Sequence, residues 1–143
     1  MRVYDLIESR HEIFSITEST PVDEAARYLR GNKLRAVGVL NERGKLAGIV
    51  SQSDISEKVA AENKCPAWMR VSEIMSTSLI TVTPETSVEE CLQLMDRNGI
   101  FHLLVVDKAE FCGLISAKDL LRFTADGHKA RADMLEAFVF PQH

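Results

Sequence analysis

The chain has 143 residues, of which 45% are apolar and 27% charged, with a formal net charge of −4. This length and composition predict one compact globular domain. The acidic balance argues against nucleic acid as the main partner, since no basic face is present to neutralise phosphates. Apolar runs are too short to span a bilayer, and the N-terminus does not resemble a secretory signal. Three scattered cysteines favour a reducing compartment, so we expect a cytoplasmic protein without a membrane partner.

The first half of the chain alternates strand and helix signals. A short lead-in, V-Y-D-L-I at 3–7, precedes a β segment at 14–17. Thr20-Pro21 predicts a helix start with proline at the first helical position, and the apolar residues that follow recur at helical spacing. Two apolar segments, 34–40 and 45–50, are joined by a short polar turn and predict a hairpin. A second helix is expected after Ser51.

The second half gives the same order of elements. A lead-in at 71–75 precedes a β segment at 79–83, and Thr86 to Glu89 has the spacing of a capping box. Strands at 100–106 and 111–115 form the second predicted hairpin, with a helix expected after Ser116. Near-continuous apolar strands indicate sheets covered by helices. The fold class is therefore α/β, built from two β-α-β-β-α repeats.

The two halves are also related residue by residue. Positions that match at a spacing of 65 are Gly48 and Gly113, Ser51 and Ser116, and Asp54 and Asp119. Upstream of the hairpin turn the spacing is 66, as between Val22 and Val88, so the second turn is one residue shorter. Because one such unit cannot bury its apolar face alone, we expect two copies to close around a pseudo-two-fold axis. The groove between them is a natural ligand site.

These repeats predict a single module over residues 1–143. Repeat one covers 1–58, a linker covers 59–70 and repeat two covers 71–124. We expect the linker to be helical until Cys65-Pro66 ends the helix. The tail, 125–143, has apolar residues at helical spacing and an apolar end at 138–140, which predicts a contact with the body or a second chain.

Several sequence patterns resemble the CBS domain in its tandem form, the Bateman module, as found in small stand-alone proteins. The lead-ins match V-x-D-I-M, residues 81–84 match T-V-x-P, and 100–107 resembles I-x-x-L-P-V-V-D. Most specific are G-I-V-S-x-x-D-I at 48–55 and G-L-I-S-x-x-D-L at 113–120. The resemblance runs from Val3 to about Leu121. Departures include Gly38 and Leu104 at proline positions, and Phe101 where many relatives carry arginine.

The Ser-x-x-Asp pattern suits a nucleotide on chemical grounds. A serine at a strand-to-helix junction, with the free amides of the first turn, can bind an anion. The aspartate has two acceptor oxygens and can take both hydroxyls of a ribose. The same pattern simply caps a helix, so both readings stay open. The family resemblance implies that Asp54 and Asp119 are the ribose anchors.

The remaining site predictions follow from these anchors. Ser51 and Ser116 are the predicted phosphate-binding hydroxyls. Because the carboxylate would lie near a negatively charged phosphate, a cation should offset its charge. The candidates are Arg35, His102, Lys118 and Arg122. The alternative is that the Arg and Lys residues are ordinary surface side chains and that His102 is a core side chain. The predicted base-binding residues, mostly readable as core residues too, are Ile16, Thr17, Val50, Val82, Thr83 and Ile115. Sequence leaves open which strand each aspartate faces.

No catalytic constellation accompanies these residues. Cys91 and Cys112 align with Ala25 and Ala47, so they indicate small core residues rather than nucleophiles. The sequence also lacks zinc-ligand spacing, so no metal or catalytic cofactor is expected.

We therefore expect a non-enzymatic regulatory protein, most simply a homodimer that acts on another protein. Its ligand would be AMP, ADP or ATP, with NAD or S-adenosylmethionine as alternatives suggested by the family. Binding in the inter-repeat groove would shift the conformation. The alternative is a ligand-free dimerisation or protein-interaction module, favoured by the Phe101 and Gly38 departures. A nucleotide-using enzyme is a third reading that lacks a catalytic group.

Overall fold

The computed structural model describes residues 1–8, 10 and 12–123. Repeat one contains β1 (Ser15–Thr17), α2 (Val22–Gly31), β2 (Ala36–Leu40), β3 (Leu46–Ser51) and α3 (Gln52–Glu62), preceded by the short helix α1 (Val3–Ile7). Repeat two contains β4 (Thr81–Val82), α4 (Val88–Asn98), β5 (His102–Asp107), β6 (Glu110–Ser116) and α5 (Ala117–Phe123). Two 3₁₀ turns, Pro66–Trp68 and Val71–Glu73, connect the repeats. The predicted tail helix lies outside the described residues.

Each repeat forms its own three-stranded sheet. β1 runs parallel to β2, and β2 runs antiparallel to β3; β4, β5 and β6 follow the same order and directions. Both hairpins have an irregular register at matching positions, between Val39 and Leu40 and between Val105 and Val106. The predicted α/β class and the two β-α-β-β-α repeats are confirmed.

The starts of the first helix in each repeat differ in detail from prediction. Pro21 has extended backbone and occupies the N-cap position, so helix α2 begins one residue later than expected, at Val22. In α4 the cap is Ser87, whose hydroxyl accepts the Glu90 N–H at 3.1 Å, rather than Thr86. Local capping preferences overlap among neighbouring Ser and Thr residues, which explains the shift of one position.

Each sheet is covered by its helix to form a separate core. The apolar stripes of α2 and α4 supply Val22, Ala25 and Leu29 to one core, and Val88, Cys91 and Met95 to the other. The central strands are almost fully buried, as in β2 at Val37 and Val39. This agrees with the near-continuous apolar pattern of these strands.

The lead-ins are exchanged between the repeats. Val3 and Leu6 of α1 are buried in the core of repeat two, whereas Val71 and Ile74 are buried in the core of repeat one. Each core therefore contains apolar side chains that precede the other repeat in sequence. The exchange explains why neither half can bury its apolar surface alone.

Matching hydrogen bonds hold both exchanged segments. Val3 N–H donates to the Thr86 carbonyl at 2.8 Å, and Val71 N–H donates to the Thr20 carbonyl at 2.9 Å. Since Thr20 and Thr86 are themselves equivalent, the two contacts are copies of each other. The same backbone geometry occurs twice, as expected of two units related by a pseudo-two-fold axis.

Two glycines allow close approach between the repeats. A Cβ on Gly38 would lie 2.5 Å from the Phe111 ring. A Cβ on Gly48 would lie 2.7 Å from Met75 Sδ and 2.8 Å from the Ser76 carbonyl oxygen. Gly38, which stands at a family proline position, therefore makes room for an aromatic ring of the other repeat.

The linker is helical over a shorter length than expected. Helix α3 ends at Glu62, and Asn63 adopts the left-handed conformation with φ 50°. The break therefore precedes Cys65-Pro66, because the left-handed residue already ends the helix. Pro66 then begins a 3₁₀ turn.

Candidate functional site

The first Ser-x-x-Asp segment forms a capping box at the start of α3. Asp54 N–H donates to the Ser51 hydroxyl at 3.1 Å, and the Asp54 carboxylate accepts the Ser51 N–H at 2.9 Å. The Ser51 hydroxyl also lies 3.0 Å from the same carboxylate oxygen. The capping interpretation of this segment is confirmed, and a ligand role would be additional to it.

The second segment has the same geometry. Asp119 N–H donates to the Ser116 hydroxyl at 3.1 Å, and Asp119 Oδ2 accepts the Ser116 N–H at 2.8 Å. Both aspartates are thus held in a fixed orientation by their own helix start. Each side chain stays partly exposed, with 22% of the Asp54 side chain and 30% of the Asp119 side chain accessible.

Arg10 binds Asp119 across the repeats and is not among the predicted site residues. Its Nη2 lies 2.9 Å from Asp119 Oδ2, and its Nη1 donates to the Leu114 carbonyl oxygen. A signal was present in the spacing: Val3 and Val71 are 68 apart, whereas Ile16 and Val82 are 66 apart. Repeat one therefore has two extra residues between lead-in and strand, in the segment that contains Arg10.

His102 and Arg35 lie in the same region as Asp119. His102 pairs with Ser116 in the β5–β6 register, which brings its side chain near the start of α5. Burial lowers the pKa of His102, the negative charge of Asp119 opposes that shift, and the positive charge of Arg35 adds to it. Of the four predicted cations, His102 therefore lies near Asp119, and Arg35 lies near His102. Arg10 is the basic side chain that contacts the Asp119 carboxylate directly.

The other two predicted cations are exposed. Lys118 and Arg122 lie on α5, and within the described part of the chain neither side chain forms a hydrogen bond or ion pair. Repeat one uses a different cation: Lys58 Nζ lies 3.5 Å from Asp54 Oδ1 and donates to the Ile74 carbonyl at 2.7 Å. Lys58 thereby links Asp54 to the exchanged lead-in.

The two grooves differ chemically at equivalent positions. Ala36 corresponds to His102, and Phe101 corresponds to Arg35. Ile49, the equivalent of Leu114, forms backbone hydrogen bonds with Ser76 in both directions, at 3.0 and 2.9 Å, whereas the Leu114 carbonyl oxygen accepts a hydrogen bond from the Arg10 side chain. The basic residues His102 and Arg35 thus have the neutral counterparts Ala36 and Phe101, and Asp54 is paired instead with Lys58.

The predicted base-binding residues fall into two groups. Val50 and Ile115 are completely buried in the two cores, and Ile16 and Val82 are almost so. Their side chains fill the cores, and a ligand would meet these residues through their backbone. Thr17 and Thr83 are exposed at the ends of the parallel strands. Their hydroxyls bond to neighbouring Ser and Thr residues.

Cys91 behaves as a core residue, as predicted. It is fully buried, and burial raises its pKa to about 11, with a smaller contribution from Glu90. Cys112 is only partly buried at the edge of the same core, where burial also raises its pKa, and Cys65 is exposed. A thiol with a raised pKa is a poor nucleophile at neutral pH. Among the described residues, no group of three or more His, Cys, Asp or Glu side chains could hold a metal ion, and no helix could cross a bilayer.

Comparison with known proteins agrees with this architecture. The CBS domain family model matches residues 3–61 and 71–126. The chain is 30% identical over 127 residues to the mitochondrial CBS domain-containing protein CBSX3 of Arabidopsis thaliana, covering 86% of this chain and 62% of that protein. It therefore spans less than two thirds of that relative.

Solved structures show the same arrangement. A protein with CBS domains from Burkholderia ambifaria superposes with a TM-score of 0.81 and 27% identity, covering 90% of this chain and 96% of that one. The CBS domain pair of MJ0100, in complex with 5′-methylthioadenosine and S-adenosyl-L-methionine, gives a TM-score of 0.77 and 25% identity, covering 88% and 97%. With two family matches in register and two repeats that exchange lead-ins, the chain belongs to the CBS domain family as a tandem pair.

Proposed function

We propose that this protein is a regulatory module that binds an adenine nucleotide in the groove at Asp119. The observation that carries the proposal is the ion pair between Arg10 and Asp119, with His102 near Asp119 and Arg35 near His102. A nucleotide carries a diol and a phosphate, and the groove offers a carboxylate for one and basic groups for the other. The groove at Asp54 has Ala36 and Phe101 in the corresponding places and is the weaker candidate.

Each residue has a distinct role in this proposal. Asp119 Oδ1 accepts no hydrogen bond from the described residues, so one ribose hydroxyl can bind there directly, whereas the second hydroxyl would bind Oδ2, which Arg10 contacts. Arg35 supplies positive charge to the phosphate. His102 is half-buried and neutral, and an incoming phosphate would favour its protonated form. Ser116 and Ser51 remain the predicted phosphate-side hydroxyls, and Thr17 and Thr83 the exposed base-side residues.

Regulation follows from where these groups originate. Arg10 and Arg35 belong to repeat one, and His102 and Asp119 belong to repeat two. A ligand that contacts both would favour the arrangement of repeats that fits it best. A regulated partner responds only if its affinity differs between the two arrangements. We propose that the module acts in this way as a homodimer on a separate protein and performs no catalysis itself.

The similarity to MJ0100 supports the ligand class. That protein's domain pair holds two adenosine derivatives, and this chain matches it over 88% of its length. The derivatives in MJ0100 lack phosphate, whereas the groove at Asp119 here is rich in basic groups. We therefore place AMP, ADP and ATP ahead of S-adenosylmethionine and NAD for this chain.

A ligand-free interaction module is the second candidate, and one observation favours it. Trp68 is 87% exposed on the 3₁₀ turn between the repeats, beside the exposed Cys65. An exposed tryptophan is typical of protein contacts. This candidate predicts that no adenine ligand binds at all.

Isothermal calorimetry separates the two candidates. Purified protein would be titrated with AMP, ADP, ATP, NAD and S-adenosylmethionine, and binding would be repeated with Asp119→Asn and its matched control Asp54→Asn. We expect phosphorylated adenosine to bind wild type and Asp54→Asn, and to lose at least about tenfold in affinity in Asp119→Asn. Absence of heat and of any thermal shift with all five ligands would favour the interaction module.

A further inference from the structure

We propose that Arg10 is a specificity residue that makes the Asp119 groove prefer phosphorylated adenosine over adenosine. The inference rests on the proposed function and adds a mechanism to it. In the structure, the Arg10 guanidinium forms an ion pair with Asp119, with 2.9 Å between Nη2 and Oδ2. A ribose diol that engages both carboxylate oxygens competes with Arg10, whereas a phosphate offers Arg10 a new anionic partner.

The side chain of Arg10 can move without disturbing the fold. Its backbone N–H is bound to the Ile7 carbonyl at 3.0 Å, which anchors the residue to the end of α1. The guanidinium is held by Asp119 and the Leu114 carbonyl oxygen, and 31% of the side chain is accessible. Rotation of the side chain exchanges these two contacts for others and leaves the exchanged lead-in in place.

The space beside Leu114 is compatible with such a movement. Among the described residues, a Cβ on Gly113, whose φ is +128°, would meet no atom within 4 Å, whereas the equivalent Gly48 is closely covered by Met75 and Ser76. Ser76, which follows the second lead-in, forms two backbone hydrogen bonds with Ile49 of repeat one. In repeat two, the Arg10 side chain contacts the equivalent strand residue, Leu114, and also Asp119. A side chain can leave such contacts by rotation, which a backbone pairing cannot do.

The direction of the effect follows from charge. Adenosine must displace Arg10 from Asp119 and gives nothing in return, so the ion pair opposes its binding. AMP restores a charge-assisted hydrogen bond to the same guanidinium. Arg35 differs in this respect, since it contributes positive charge without occupying the carboxylate. Removal of Arg10 and removal of Arg35 should therefore affect adenosine differently.

The test compares AMP and adenosine by calorimetry on wild type, Arg10→Met, Arg35→Met and the control Arg97→Met, at an exposed position on α4. In Arg10→Met we expect AMP to bind about tenfold more weakly and adenosine about two- to fivefold more tightly. In Arg35→Met, AMP should weaken and adenosine should stay unchanged. Arg97→Met should match wild type for both. Arg10→Gln provides a second variant with the same expectation, and circular dichroism checks that each variant is folded.

Several outcomes would overturn the inference and separate it from the proposed function. If wild type binds AMP but Arg10→Met weakens AMP and adenosine equally, Arg10 has a structural role only. If Arg10→Met changes neither affinity, Arg10 does not contribute to specificity, and the proposed function stands without it. If wild type and both Arg10 variants bind neither ligand, the proposed function fails and the inference fails with it.

Discussion

Lys45 and Glu110 hold the same position in the two repeats, 65 residues apart, yet they meet each other at 2.8 Å between Nζ and Oε1. Two equivalent positions can touch only where the pseudo-two-fold axis passes between them. If both repeats carried the same charged residue here, two like charges would meet. Because one repeat has Lys and the other has Glu, the contact is an ion pair. The repeat visible in the sequence thus becomes a contact in the structure.

This ion pair should make a small contribution to stability. The two side chains are 49% and 68% exposed, and exposed pairs contribute at most about 1 kcal/mol. We expect Glu110→Lys to lower the free energy of unfolding by less than about 1 kcal/mol, and the exchange Lys45→Glu with Glu110→Lys to restore it. Urea denaturation at low and high salt measures both effects. A loss in Glu110→Lys that the exchange does not recover would argue against the pairing.

Gly48 should tolerate no side chain. A methyl group there would lie 2.8 Å from the Ser76 carbonyl oxygen, which is fixed by its hydrogen bond to Ile49. We expect Gly48→Ala to destabilise the protein by about 1–3 kcal/mol, measured by urea denaturation. Gly31→Ala is the control, because a Cβ at Gly31 meets no atom within 4 Å. Gly31→Ala should be neutral or stabilising by up to about 1 kcal/mol. Equal effects in the two variants would contradict the close contact.

The exchanged lead-ins should couple the two repeats in unfolding. Leu6 precedes repeat one in sequence but is buried in the core of repeat two, and Ile74 is buried in the core of repeat one. Leu6→Ala and Ile74→Ala should each cost about 2–5 kcal/mol. Because each core depends on a segment of the other repeat, both variants should unfold in a single transition, as followed by calorimetry. Two separate transitions, with only one shifted, would show that the repeats fold independently.

His102 should make stability fall in mild acid. Burial lowers the pKa of His102 in the folded protein below its usual value, so the unfolded chain takes up the proton first. As the pH falls through about 6.5, the unfolded value, the His102 contribution to the free energy of unfolding decreases, and it levels off below the folded pKa. In His102→Gln, this pH-dependent part of the free energy of unfolding should be absent. Thermal melts at a series of pH values measure it, and an unchanged pH profile in His102→Gln would contradict the assignment.

The sequence predicted the repeated architecture well because the repeat is encoded at every level. Matching apolar stripes, hairpins and Ser-x-x-Asp segments fix the same elements twice. The predicted strand at 79–83 is only Thr81–Val82 in the structure, since apolar pattern alone does not set strand length. Exchange of the lead-ins was not predicted, because a short apolar segment packs equally well on either of two similar cores.

The part of the site that local sequence encodes could be predicted. Asp54, Asp119 and their serines occur in a local pattern, so their capping geometry could be derived from spacing. Arg10 comes from a segment 109 residues away from Asp119 in sequence, and the contact depends on tertiary structure. Lys118 and Arg122 lie near Asp119 in sequence and are exposed on α5, and their contact with a phosphate stays a prediction.

A crystal structure of the protein with AMP is the most direct test of a nucleotide site at Asp119. The account predicts one nucleotide per chain in this groove, with the ribose hydroxyls on the Asp119 carboxylate and the phosphate within hydrogen-bond distance of Arg10 or Arg35. Arg10 should have left the position that it occupies in the free protein. A nucleotide bound only beside Asp54, or one at Asp119 with its phosphate directed away from both arginines, would contradict the account.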